Sequence, residues 1–338
     1  MGSGWLVMMM KNKKIALFSP RFFDYPEKIC DEIRKQGGQA FFFDERPFTS
    51  SLGKILLRLN ITFLTTFFIR SYYHNMIKKV KEINPDYIIF LSPESVRRED
   101  IIAFKKNVPD AKIIIYMWDS FLNKPYSKNY IDVADAFLTF DKNDAEQYGL
   151  EFLPLFYIKE YEQLRCQSHQ DYDFCFIGTV HSNRVQAVKT LIARSHHNNF
   201  TFFYCPSKLL FILKKIFTHE FSGLKFKDVS FKPLTKDTLM DVIARSRCII
   251  DISHPKQKGL TMRTIESVGA GKKIATTNIN IKQYDFYNEN LHYIIDSEFS
   301  PIPEDFISAS VNLNKEIYCK YRIDNWLTTL LLSTKTHN

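Results

Sequence analysis

Short apolar runs alternate with helical segments along most of the chain. KKIALFS (13–19), QAFFFD (39–44), DYIIFLS (86–92), AKIIIYMWD (111–119), ADAFLTFD (134–141) and LEFLPLF (150–156) are too continuous for strands with one wet face. Between them stand YPEKICDEIRKQGG (25–38), closed by a Gly-Gly C-cap signal, a segment over 50–83 that reads as one or two helices, and REDIIAFKKNVP (98–109). Strands apolar on both faces and joined by helices predict a parallel sheet covered on both sides.

A polar stretch with few aliphatic residues follows over 158–172 and reads as a linker. The alternation then restarts. DFCFIGT (173–179), FTFFYC (200–205), VSFKPL (229–234), CIIDIS (248–253), KIATTN (273–278) and HYII (292–295) are expected strands. Expected helices are SNRVQAVKTLIARSHH (182–197) with Ser182 as N-cap, PSKLLFILKKIF (206–217), TKDTLMDVIARS (235–246) and GLTMRTIESVGAGKK (259–273), the last closed by Gly269 and Gly271. IYCKYRIDNWLTTLLL (317–332) is a long final helix. The 338 residues thus read as an α/β chain of two Rossmann-like doubly wound domains, 1–157 and 173–316, with 317–338 as a terminal helical segment. Ligands of open α/β sheets sit outside the carboxyl ends of the strands, so a cleft between two such domains is the expected site.

Charge narrows the partners. Lys and Arg number 46 against 37 Asp and Glu, a formal charge of +9. The excess is clustered: no acid occurs from Arg46 to Lys81, nor from Phe174 to His219, while both stretches are rich in Lys and Arg. Such fields attract nucleic acid, anionic membrane or phosphorylated small molecules. The six cysteines form no C-x-x-C pair, which predicts reduced thiols, no zinc site and no disulfide framework. The uncharged run Leu59 to Ile69 is far below the roughly 20 residues of a spanning helix. No secretory signal is recognisable at the start.

Two segments carry candidate chemistry. In FIGTVHSNR (176–184), Gly178 turns the chain from a strand toward a helix whose N-terminus suits an anion. Arg184 in its first turn can add a bidentate phosphate contact. The dinucleotide fingerprint and the P-loop are both absent. In DISHPKQKGLTMRTIESVGAGKK (251–273), a loop with His254, Lys256 and Lys258 leads to a helix opening near Gly259–Thr261. Arg263 and Glu266 are three apart and share a face, which fits either a plain ion pair or a grip on diphosphate and ribose.

GLTMRTIESVGAGKKIATTN resembles the donor-site helix of GT-B glycosyltransferases, and FIG-x5-R resembles the start of the C-terminal domain in the spore-maturation-type (CgeB-like) members. The resemblance implies that Glu266 binds the nucleotide ribose, that Gly178, Thr179, Arg184 and Arg263 surround the phosphates, and that Pro233 and Leu234 contact the base. His254, Gly259 and Thr261 fall in the same donor region. The final helix would cross back to the N-terminal domain. Many retaining members carry a Glu eight positions before the ribose Glu; here that position is Lys258. No D-x-D metal motif occurs, and no cofactor is expected, the nucleotide-sugar being a substrate.

In the N-terminal half, Ser19-Pro20-Arg21, Ser92-Pro93-Glu94 and Trp118-Asp119-Ser120 end strands. An inverting transfer needs a carboxylate to deprotonate the acceptor hydroxyl, with Asp119 the first candidate and Glu94 the second. Asp119 as a turn cap is the competing reading. The basic aromatic segments within 46–81 and 206–217 read either as interfacial membrane elements or as ordinary helices with solvated lysines.

The leading expectation is a metal-independent glycosyltransferase moving a sugar from a nucleotide-sugar to a glycan or lipid-linked acceptor of a bacterial surface polysaccharide, lipopolysaccharide or capsule. It would work in the cytoplasm or on the inner face of the cytoplasmic membrane. A non-hydrolysing sugar-nucleotide epimerase and a non-catalytic sugar-nucleotide or nucleic-acid-binding protein are the alternatives. Nucleic acid is disfavoured because no known binding module appears.

Overall fold

The computed structural model describes residues 10–47, 62–166, 169–180, 184–193, 198–217, 221, 224–254, 257–310 and 314–335. The 48–61 part of the N-terminal basic block, His181, Ser182, His196, His197, His219 and Lys256 lie outside them. Contacts divide the chain into two units, Met1–Pro154 with Ile323–Asn338, and Leu155–Arg322.

The first unit holds six parallel strands: β1 (Lys14–Ser19), β2 (Gln39–Asp44), β3 (Tyr87–Leu91), β4 (Lys112–Met117), β5 (Ala136–Thr139) and β6 (Glu151–Phe152), in the order β2-β1-β3-β4-β5-β6. β1, β3 and β4 are buried along nearly their whole length, as their unbroken apolar sequence requires. Helices α1 (Tyr25–Lys35), α2 (Thr62–Ile83), α3 (Arg98–Asn107) and α4 (Lys142–Tyr148) connect them. Gly37, at φ +89°, takes the left-handed turn that ends α1.

The second unit holds five parallel strands, β7 (Tyr172–Thr179), β8 (Asn199–Tyr204), β9 (Ser246–Asp251), β10 (Lys273–Thr276) and β11 (His292–Ile294), in the order β11-β10-β9-β7-β8. Its helices are α5 (Arg184–Ala193), α6 (Lys208–Phe217), α7 (Lys236–Ala244), α8 (Met262–Ala270), α9 (Glu304–Ser308) and α10 (Lys315–Cys319). Cys175, Cys205 and Cys248 are buried free thiols behaving as small hydrophobes.

The expected strand VSFKPL is not one: Phe226–Asp228 is a 3-10 turn, and only Ser230 bridges to Tyr204. Pro233 has no N–H to give a ladder. The stretch 158–172 holds the 3-10 helix Lys159–Cys166, which packs on α7 and α8 and buries Tyr161 and Leu164. Gly269 lies inside α8 rather than ending it. A Cβ there would stand 2.5 Å from the Tyr157 ring, so glycine admits the close approach, and Gly271 at φ +64° makes the C-cap.

The final helix is broken. Between Cys319 and Ile323 the chain passes through a turn, Arg322 bridges to Tyr157, and Tyr157 N donates to Tyr321 O at 2.8 Å. The chain thus enters and leaves the second unit side by side. Beyond the break, α11 (Ile323–Leu332) packs on α1 and β4 of the first unit. Trp326 is buried edge-on against Tyr116 at 5.0 Å. The architecture is α/β with two Rossmann-like units, each built on one parallel sheet, in the GT-B manner with the C-terminal helix returned to the N-terminal unit.

Candidate functional site

The order of the second sheet creates a switch point. From β7 the chain runs to β8 on one side, and β9 then pairs on the other. Helices that leave such neighbouring strands in opposite directions open a crevice at the strands' carboxyl ends. α5 follows β7 and α8 follows β9, so Arg184 and Thr261 stand at this crevice.

Gly178 makes room for Arg184. A Cβ at Gly178 would come within 3.2 Å of Arg184 Nη1 and 2.8 Å of Phe176 Cζ. Arg184 Nη1 donates to Thr179 O at 3.3 Å, while its buried Nε has no acceptor among the described residues. Burial lowers the Arg184 pKa, and the negative charge of Asp251 works against that shift. The result is a half-buried cation whose buried Nε has a donor to spare among the described residues.

Asp251 ends β9 and is buried. Its Oδ2 accepts from Thr261 Oγ1 at 2.7 Å and from Thr264 Oγ1 at 2.6 Å. Thr261 is the N-cap of α8, accepting from Thr264 N at 3.1 Å. One carboxylate therefore ties the helix start to the strand end. Asn278 Nδ2 donates to Lys258 O and Gly259 O, both at 3.2 Å, and Asn280 Nδ2 to Lys258 O at 2.9 Å. These bonds hold the preceding loop in shape. The positive end of α8 is thereby fixed beside Arg184.

Arg263 and Glu266 pair at 2.8 Å, and the Glu266 side chain is only 7% exposed. Tyr161, from the 3-10 helix, hydrogen-bonds both; burial, then the Glu266 charge, push its phenol well above the ordinary value. In this state Glu266 serves an internal ion pair. His254 is half-buried, and its carbonyl accepts from Gln257 N at 2.8 Å. Exposed Pro233 and half-buried Leu234 lie in the loop leading into α7. The structure thus brings Gly178, Thr179, Arg184, Gly259 and Thr261 to one switch point.

Two residues escaped the sequence reading. Asp251 had a signal, a carboxylate closing the apolar run CIIDIS. Tyr161 had none, since its surroundings are polar in sequence and buried only by tertiary packing.

The first sheet has its own switch point, between β1 and β3. Glu45, just beyond β2, is wholly buried there. Its Oε1 accepts from the backbone N–H groups of Glu94 (2.9 Å), Ser95 and Val96 (2.8 Å) and from the Tyr73 hydroxyl (3.1 Å). Burial pushes Glu45 up to about 7, against the opposing effect of those N–H groups. Glu94 is clamped by Lys124 at 2.5 Å and Arg46 at 2.9 Å. Burial raises its pKa, but the hydrogen bonds and charges of Lys124 and Arg46 prevail and hold it below the ordinary value. A carboxylate so held is a weak proton acceptor. Asp119 is half-buried and accepts from the Asn123 side-chain amide Nδ2 at 3.0 Å. Near it, the buried Ser120 hydroxyl has no hydrogen bond among the described residues, and Trp118 lies 6.0 Å from the exposed Phe22.

Among the described residues, no group of three or more His, Cys, Asp or Glu is placed to hold a metal ion, and no helix is long and apolar enough to cross a membrane.

No protein-family model matches the chain, and no curated protein matches it in sequence. Solved structures do match in fold. The lipopolysaccharide outer core galactosyltransferase WaaB is similar over 96% of this chain and 99% of its own, at 12% identity and a TM-score of 0.57. A glycosyltransferase from Rickettsia africae gives 11% identity, 96% and 98% coverage and a TM-score of 0.57. A UDP-GlcNAc 2-epimerase from Methanocaldococcus jannaschii, solved with UDP-GlcNAc and UDP, gives 10%, 94% and 99%, and 0.55. The chain shares this fold.

Proposed function

We propose that the chain is a glycosyltransferase taking a nucleotide-sugar as donor and a glycan or lipid-linked acceptor of a surface polysaccharide such as lipopolysaccharide or capsule. The observation that carries the reading is half-buried Arg184 at the switch point beside the N-terminus of α8, its buried Nε unpartnered among the described residues. A diphosphate supplies the missing acceptor, and the helix start adds a fixed dipole. The full-length likeness to WaaB supports the reaction class and the lipopolysaccharide setting. The FIG-x5-R run supports the CgeB-like subtype.

The chemistry is a direct displacement. Asp119 takes the proton of the acceptor hydroxyl, that oxygen bonds to the anomeric carbon, and the bond from that carbon to the diphosphate oxygen breaks. Arg184 and the α8 N-terminus hold the charge that develops on the departing nucleoside diphosphate. Glu94 is set aside as base because two cations hold it. Glu266 reaches the ribose by exchanging its bond to Arg263, which then turns to the phosphates. Pro233 and Leu234 meet the base, and His254 lies at the rim.

A thermal-shift panel of UDP-, GDP-, dTDP- and CMP-sugars tests this. One of them is expected to raise Tm by several degrees, and no shift with any would sink the proposal. The likeness to UDP-GlcNAc 2-epimerases favours a second reading. An epimerase converts its nucleotide-sugar with no acceptor present, whereas transfer stops without one. Asp119→Asn should remove turnover and leave the donor shift intact.

A further inference from the structure

Helix α6 is apolar on the wrong side. Its sequence is KLLFILKKIF, about 15 Å long at 1.5 Å per residue. Only Phe211 is buried, against Phe221 and Phe226 at ring distances of 5.5 and 5.0 Å. Leu209, Ile212, Leu213, Ile216 and Phe217 are exposed by 66, 40, 43, 59 and 74%. Counted from Leu209 these stand at i, i+3, i+4, i+7 and i+8, the spacing of one continuous helical stripe. A helix that merely covered a sheet would turn that stripe inward.

Charge identifies what covers the stripe. At about 100° per residue, Lys208 and Lys215 fall on one border of it and Lys214 on the other. The adjoining 3-10 turn Phe226–Asp228 adds a half-exposed Phe226 between exposed Lys225 and Lys227. Asp228 is engaged by Lys225 N at 2.8 Å and by Lys189 at 3.6 Å. An apolar stripe bordered on both sides by lysines suits an interface whose interior is hydrocarbon and whose surface is negative. A protein partner with a plain apolar groove would gain nothing from the lysine borders.

We infer that α6, with the Phe226 turn, is a membrane-docking element that lies in the headgroup plane of an anionic bilayer. Leu209, Ile212, Leu213, Ile216 and Phe217 enter the acyl boundary, and exposed Lys208, Lys225 and Lys227 meet lipid phosphates, while Lys215 Nζ is held by Leu224 O at 2.6 Å and Lys214 Nζ lies 5.3 Å from the Phe221 ring. The inference goes beyond the transferase reading and does not depend on it, because vesicle binding needs neither donor nor acceptor.

The test is co-sedimentation of the full-length protein with phosphatidylglycerol/phosphatidylcholine vesicles and with pure phosphatidylcholine vesicles. Strong binding is expected to the anionic vesicles only, weakening as salt is raised. The triple substitution Leu209→Ser, Ile216→Ser, Phe217→Ser removes apolar groups that touch no core, so Tm should hold while binding falls about tenfold or more. Reversing the charge with Lys208→Glu and Lys227→Glu should abolish the preference for anionic lipid. Equal vesicle binding by wild type and the triple variant would overturn the inference. So would a dimer in light scattering that the triple variant dissolves while wild type ignores vesicles, since the stripe would then be a self-interface.

Discussion

At the first switch point, between β1 and β3, the backbone N–H groups of Glu94, Ser95 and Val96 all serve the chain's own Glu45, and the nearby cations Arg46 and Lys124 serve Glu94. At the second, between β7 and β9, Asp251 serves hydroxyls, and the Arg184 Nε has no acceptor among the described residues. Two sheets of the same parallel design thus differ in who satisfies the strand ends. Where an internal carboxylate fills a nest of N–H groups, no anionic ligand is needed or admitted. Where a half-buried guanidinium keeps a buried donor unsatisfied, an anion is the natural partner. On the proposed reading the donor phosphates fall to the second unit and the hydroxyl-bearing acceptor to the first.

The largest expected effect uses opposite titrations. Burial raises Glu45 from 4.5 to about 7, so its contribution to the first unit is complete below about pH 4.5 and is lost as pH rises through about 7. Burial lowers His292 from 6.5 to about 4, with the Asn288 backbone opposing, so its contribution to the second unit is complete above about pH 6.5 and is lost as pH falls through about 4. At about 1.4 kcal/mol per unit, each swing is worth about 3 kcal/mol. Native-state hydrogen exchange, corrected for intrinsic rates, should show the first unit losing protection toward alkaline pH and the second toward acid. Glu45→Gln should flatten the first swing alone. Parallel losses in both units would break the comparison.

Next in size is Arg184. Arg184→Ala should weaken binding of the responding nucleotide-sugar about a hundredfold, the worth of a charge-assisted pair. Arg184→Met should leave the ligand-free Tm unchanged or higher, because a poorly partnered, half-buried charge is removed. A large loss of ligand-free stability with Arg184→Met would show that the guanidinium is a structural group.

The smallest is Asp251→Asn, which keeps one acceptor oxygen for Thr261 and Thr264 but loses the charge. It should cost about 1–2 kcal/mol in urea unfolding and shift donor affinity only a fewfold. An effect on affinity larger than that of Arg184→Ala would mean that Asp251, and not the arginine, organises the crevice.

Much of the fold was legible because burial on both faces leaves a signature in the chain itself. Ile15–Phe18, Ile88–Leu91 and Ile113–Met117 can only be strands of a covered parallel sheet, and Gly37 marks its helix end by the conformation it permits. VSFKPL misled because apolar content was read without the missing N–H of Pro233. Lys159–Cys166 misled because its polar residues hide the two that are buried.

The sequence by itself therefore determined the alternation, the parallel sheets and the residue types at the strand ends, since these follow from local periodicity and backbone chemistry. Only the tertiary structure decided that Glu94 is clamped, that Glu266 is paired with Arg263 beneath Tyr161, that Arg184 keeps a free donor and that the apolar stripe of α6 faces outward. Each depends on which groups distant in the chain meet, and on how much water they leave, and neither is written in spacing.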